Sequence, residues 1–227
     1  MAGRIAYYGN IATQGLVLNL DAAIQGSYPK TGSTWFDISN NGNNGTLTNG
    51  PLYIGSDYGA IVFDGVNDYV EVPNNVALNS NIGTISIWFN STTVSGRSAV
   101  LIGKTDSVGS FNGINILTSG TEIYGQVKGS SDQIISGSLL SQNTWYNFTL
   151  TYSSGISYSS YLNGSLIGTN TLTSFTFSTQ PLRIARSLDS FWTIYKGQVS
   201  NAMIYNRALS AQEITQNFNT LRGRYGI

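Results

Sequence analysis

Apolar and polar positions switch residue by residue along most of this chain. Gly15–Asp21 (GLVLNLD), Gly83–Asn90 (GTISIWFN) and Trp145–Tyr152 (WYNFTLTY) show it most clearly. A period of two sends successive side chains to opposite faces of a sheet, so these segments predict half-buried strands. Trp35–Leu47 reads as a strand, an Asn/Gly loop and the start of a second strand, and shorter strand patterns cover Ala60–Asp64, Asp68–Val72, Ala99–Lys104, Phe111–Leu117, Glu122–Lys128, Pro181–Ala185 and Tyr195–Tyr205. Ser157–Leu162 and Ser165–Gly168 flank Asn163-Gly164, a pair that favours a type I′ hairpin turn. Turn residues recur about every ten positions, the rhythm of an all-β sandwich or barrel. The period changes once. Ser210 precedes Glu213 at capping-box spacing, and Ile214, Phe218 and Leu221 then follow on one helical face. The pattern predicts an all-β domain that ends in one short helix. Trp35, Trp88 and Trp145 lie in alternating segments and are expected in its core.

The 227 residues suffice for one large domain with a substantial core. The expected division is an N-terminal arm over 1–14, a sandwich over 15–221 and a tail over 222–227. Eleven acidic residues balance eleven basic ones, so there is no basic field for a nucleic-acid backbone. There is no cysteine and no histidine. That removes disulfides, thiolate zinc sites and His-based triads. No segment reads as a membrane span, and the opening residues do not read as a secretory signal.

Candidate chemistry falls in four places. Phe191 and Trp192 form an aromatic pair in a loop with Asp189 and Arg186 nearby, a composition suited to stacking on a sugar ring. Packing is the other use for such rings, and Tyr28, Tyr158 and Tyr161 are lesser candidates. Asp64, Asn67 and Asp68 crowd one tight turn, and Asp21 ends the first strand. These oxygens suit structural Ca²⁺, although turn capping would use them equally. Asp37, Ser39 and Asn41 make a calcium-like spacing that lacks the closing Glu, and an Asx-turn loop explains it. Finally, Arg4, Tyr7 and Tyr8 at one end and Arg222, Arg224 and Tyr225 at the other mix cations and rings, as partner-binding arms do. If the ends are arms, their removal leaves the melting temperature nearly unchanged and weakens assembly; frayed termini are the alternative.

Glycoside hydrolysis needs two carboxyl groups astride the scissile bond. The three glutamates, Glu71, Glu122 and Glu213, have no acidic partner two or four positions on. A non-enzymatic protein is expected.

Several segments, in order, resemble the laminin-G-like, concanavalin A-like jelly-roll family: GLVLNLDAA, WFDISNNGNNGTLTNG, IVFDGVNDYVEVP, ISIWFN, WYNFTLTY, YLNG, RIARS and the closing KGQVSNAMIYNRALSAQEI. The resemblance covers about residues 15–218 and implies an antiparallel jelly-roll β-sandwich with a lectin-like surface. It says little about function, because this fold carries lectins, glycanases, adhesion modules and virion proteins. The two chain ends resemble those of virion-associated proteins of tailed phages. That second resemblance implies capsid decoration or a tail-associated place in the virion, with other virion proteins as partners and an oligomeric or lattice-bound state. A free carbohydrate-binding or adhesion module at a cell surface is the alternative.

Overall fold

A computed structural model describes residues 11–56, 58–92, 98–106, 112–127, 134–135 (backbone alone), 140–177, 179–188 and 190–227. Two antiparallel sheets face each other. Across the first, the order is Ser165–Thr171, Ser157–Leu162, Trp145–Ser153, Ile82–Ser91, Lys196–Tyr205, Ala60–Asp64, Leu52–Ile54. Leu16–Asp21 pairs with the far half of Lys196–Tyr205. Across the second, it is Ile134–Ile135, Glu122–Val127, Gly113–Ser119, Ala99–Thr105, Leu182–Ile184, Tyr69–Val72, Gly45–Thr48, Thr34–Trp35. A two-residue strand, Thr193–Ile194, runs parallel to Ala99–Val100 on the second sheet.

Alternation sorts each strand between two environments. In Ile82–Ser91, Ile85, Ile87 and Phe89 point between the sheets, where they meet Leu18, Leu20, Trp35, Phe63, Phe148 and Leu150. Thr84, Ser86 and Trp88 point the other way. That outer face is also buried. It carries Trp88, Trp145, Tyr161, Met203 and Tyr205, and the helix Ala211–Arg222 lies over them through Ile214, Phe218 and Leu221. All three tryptophans expected in the core are buried. Trp88 and Trp145, however, fill a second core under the helix, and only Trp35 lies between the sheets.

The helix begins as the sequence predicts. The Glu213 amide donates to the Ser210 hydroxyl, and the Glu213 carboxylate accepts from the Ser210 amide at 2.9 Å. Arg207 grips the same carboxylate at 2.6 and 2.9 Å. These donors lower the Glu213 carboxyl to about 2.

Residues 222–227 are not a free tail. Tyr225 is 5% exposed and stacks on Trp88 with ring centroids 4.1 Å apart. Its hydroxyl donates to Ser200 Oγ at 2.9 Å. Arg224 Nη1 donates to both oxygens of Asp21, at 2.8 and 3.0 Å. The end of the N-terminal segment is tied down too: the Ala12 amide donates to Asn217 Oδ1 at 2.8 Å, and Ile11 joins the second core. The expected boundaries at 14 and 221 therefore cut through one packed unit. Arg4, Tyr7 and Tyr8 lie outside the described residues.

Candidate functional site

The helix closes the outer face of the first sheet. The outer face of the second sheet carries no helix among the described residues; Val100, Asn115, Leu117 and Tyr124 on it are nonetheless buried, and its composition differs. The core-facing residues of its strands are Val70, Val72, Leu182, Ile184, Ile102, Ile114, Ile116, Ile123 and Val127. Their neighbours point outward. Strand register then sets six outward positions in one row across the sheet: Thr46 opposite Glu71, Glu71 opposite Arg183, Arg183 opposite Gly103, Gly103 opposite Asn115, Asn115 opposite Gln126.

Each part of this row has a physical reason. Arg183 Nε donates to Glu71 Oε2 at 2.9 Å, so the two charges neutralise each other across neighbouring strands. The guanidiniums of Arg183 and Arg186 both lie over the Tyr69 ring, 4.9 and 5.3 Å from its centroid. Gly103 leaves room for Asn115: a Cβ on Gly103 would stand 2.0 Å from Asn115 Oδ1 and push the amide aside. Asn115 is 0% exposed, yet neither atom of its amide has a hydrogen-bond partner. The amide oxygen of Gln126 lacks one as well. Each buried unpaired polar group costs about 1–3 kcal/mol; Asn115 is sealed from solvent, whereas Gln126 is half-buried and within reach of a ligand hydroxyl.

Beside the row sits an apolar patch of Val100, Leu117 and Tyr124, with Trp192 packed against it. Trp192 is held there by the strand that follows it: Thr193 donates from its amide to the Ser98 carbonyl at 3.1 Å and from its hydroxyl at 2.9 Å. Tyr124 Oη donates to Ser98 Oγ at 2.7 Å. Phe191 meets Trp192 edge-on, at 5.0 Å, and is 67% exposed. The Trp192 indole N–H is buried without a partner.

Of the residues predicted to bind sugar, Trp192 and Arg186 come to this one face and Phe191 extends from it, while Asp189 lies outside the described residues. Trp192 is a wall of the site and a packing residue at once. Tyr28, Tyr158 and Tyr161 are buried in the two cores and offer no free ring face. Tyr69, Arg183, Asn115, Tyr124 and Gln126 were missed. Their signal, polar or aromatic residues at outward positions, is present in each strand, but which strands become neighbours is not.

The calcium candidates do not converge. Asp21 is bound to Arg224 and is no partner of the 64–68 turn. Asp64 Oδ1 accepts from the amides of Val66 and Asn67, at 2.7 and 3.3 Å, and Asp68 Oδ2 accepts from the Asp64 amide at 3.2 Å. The backbone donors hold the Asp64 carboxyl below its usual range, led by Val66, while burial raises Asp68. Asp37 is likewise committed to amides of Asn19, Ser39 and Asn43. Among the described residues no three acidic side chains gather. These are turn caps.

Glu71 and Glu122 both sit on this outer face, by alternation with Val70 and Ile123. Four strand spacings, about 19 Å, separate their strands, and Glu122 also lies four residues along its strand from the row that holds Glu71, so the two carboxyls stand further apart still. Glycosidase carboxyls stand about 5–9.5 Å apart.

Residues 63–215, more than half of the chain, match the Laminin_G_3 family of the concanavalin A-like lectin/glucanases superfamily. Among solved structures, the binding domain of Paraclostridial Mosquitocidal Protein 1 superposes with a TM-score of 0.72 at 20% identity, over 91% of this chain and 52% of that one. Trypanosoma rangeli sialidase in complex with sialic acid gives 0.72 at 17% identity, over 92% of this chain and 33% of that one. Domain 4 of AbnA, a GH43 extracellular arabinanase from Geobacillus stearothermophilus in complex with arabinotriose, gives 0.67 at 17% identity, over 88% of this chain and 96% of that one. The chain thus spans about half of the first of these structures and a third of the second. At these identities the likeness is one of fold. Curated proteins yield no match.

Proposed function

Because this chain belongs to the laminin G family of the concanavalin A-like lectin/glucanases superfamily, we propose that it is a non-catalytic carbohydrate-binding module whose ligand lies along the outer face of the second sheet. One observation carries the reading: the exposed ring of Phe191, the half-buried Trp192 and the half-buried Gln126, whose amide oxygen has no partner, stand on the same face of the second sheet. Rings take the apolar face of a sugar, and amides take its hydroxyls. The AbnA domain, similar over nearly its whole length, is a protein whose structure holds arabinotriose, and that supports the class of ligand. The distance between Glu71 and Glu122 supports binding without cleavage.

Titration calorimetry with neutral oligosaccharides, arabinotriose among them, tests this. Phe191→Ala and Gln126→Ala each weaken binding roughly tenfold or more, a loss of about 1.4 kcal/mol, with circular dichroism unchanged. Full affinity in both variants would remove the site, and release of shortened sugar would remove the non-catalytic reading.

The virion setting, on a capsid or tail with other virion proteins as partners, is part of the proposal as the resemblance of the chain ends implies. Packing of Arg224 and Tyr225 takes the C-terminal arm out of that argument, which leaves residues 1–10. Mass spectrometry of purified particles tests it: the chain co-purifies with virions, or the setting is wrong.

A further inference from the structure

A cavity of about 300 Å³ opens at the other chemistry-bearing corner of the molecule, lined by Ala23, Ile24, Lys30, Tyr53, Tyr58 and Arg224, with Gly55 and Gly59 supplying backbone. None of these residues belongs to the row or patch on the second sheet. The volume is at the small end of ligand sites.

Its walls are fixed. Tyr53 rests against Tyr28, ring centroids 5.4 Å apart, and Tyr58 meets Tyr225 edge-on at 5.9 Å. The backbone between them is pinned, because Gly59 has φ +76° and a Cβ there would stand 2.6 Å from Ala23 Cα. Lys30 and Tyr58 themselves hold φ of 72° and 63°, a conformation non-glycine residues rarely keep without a local reason. Tyr58 is 47% exposed, so its ring is within reach of a ligand.

The charges around the cavity are lopsided. Arg224 is neutralised by Asp21. Lys30 has no ion-pair partner among the described residues, and no described carboxylate lines the space. Two tyrosine rings and one uncompensated ammonium suit a ring that has an apolar face and a single negative group.

We propose that this cavity is a second ligand site, taking one sugar residue that carries an anionic substituent, with Tyr53 and Tyr58 against the ring and Lys30 on the anion. Part of the wall is the C-terminal segment, since Tyr225 backs Tyr58 and Arg224 lines the space. The packed tail therefore has a use beyond stability.

The test is NMR titration of the whole chain with glucuronate, glucose 6-sulfate and glucose. At least one charged sugar shifts the Tyr53, Tyr58 and Gly59 resonances and binds at least tenfold tighter than glucose. Binding of both charged sugars shows that charge alone is read, and binding of glucuronate alone shows selection of a carboxylate. Lys30→Gln, on an exposed residue, abolishes the preference and leaves the spectrum otherwise native. Phe191→Ala, at an exposed ring of the sheet face, leaves it intact, which separates this site from that face. Equal affinity for glucose, no effect of Lys30→Gln, loss of binding in Phe191→Ala, or no shift with either charged sugar would each overturn the proposal.

Discussion

At the scale of single residues, two ion pairs decide different things. Asp21 and Arg224 are both buried, with side chains 2% and 9% exposed, and join positions far apart in the chain. Burial pushes the Asp21 carboxyl upward, and Arg224 acts against that. Arg224→Ala would leave Asp21 buried without its cation. The expected loss is about 3–5 kcal/mol by chemical denaturation, because an uncompensated interior charge is costly. Arg224→Ala and Asp21→Asn combined lose less than the sum of the single changes, since the second removes the stranded charge. Glu213 is the contrasting case, partly open to solvent. Its carboxyl is lowered to about 2 from an ordinary 4.5. A depressed acid stabilises the fold above its unfolded value and loses that contribution as pH falls towards its folded one. Melting temperature should therefore drop between pH 4.5 and 2 by more in the parent chain than in Glu213→Gln. Solvent screening limits the difference to about 1 kcal/mol. A parallel pH profile in the two proteins would contradict it. Residues also show where sequence reading stops. Tyr225 follows the helix with nothing nearby to mark it as buried; its stacking partners Trp88 and Trp145 are remote in sequence. Trp88, by contrast, shares its parity with Ser86, and that parity already sets it on the opposite face from Ile87.

At the scale of elements, local chemistry predicts well and pairing does not. The capping box, the helix after it and the three strongest alternating strands stand where the pattern places them. The Phe111 start of one predicted strand lies outside the described residues, and the strand itself runs Gly113–Ser119. The candidate site depends on pairings that no local pattern contains. Arg183 reaches Glu71 across 112 positions. Only when Leu182–Ile184 inserts between Ala99–Thr105 and Tyr69–Val72 does the polar row form. The aromatic loop was legible as unusual, but Thr193–Ile194, which clamps it to the sheet, is too short to signal itself. The C-terminal turn makes the sharpest test at this scale. Removing 223–227 deletes Arg224 and Tyr225 and uncovers Trp88. A free tail would leave the melting temperature where it was. The packed segment predicts a fall of about 10 °C or more, several kcal/mol at this chain length.

At the scale of the molecule, the sandwich has two outer faces with opposite fates. The first sheet is capped by a helix and a turn, and carries a second hydrophobic core under them. The second keeps polar and aromatic side chains outward, with amides that its own fold leaves unpaired. This asymmetry supports the proposed binding module, in which one face stabilises and the other recognises. Mapping chemical shifts on the native chain during titration with neutral oligosaccharide decides which face binds. The shifts should concentrate on Phe191, Trp192 and Gln126, with the helix face silent. Shifts confined to Ala211–Arg222 and the residues beneath it, or none with any glycan that the chain retains, would contradict it.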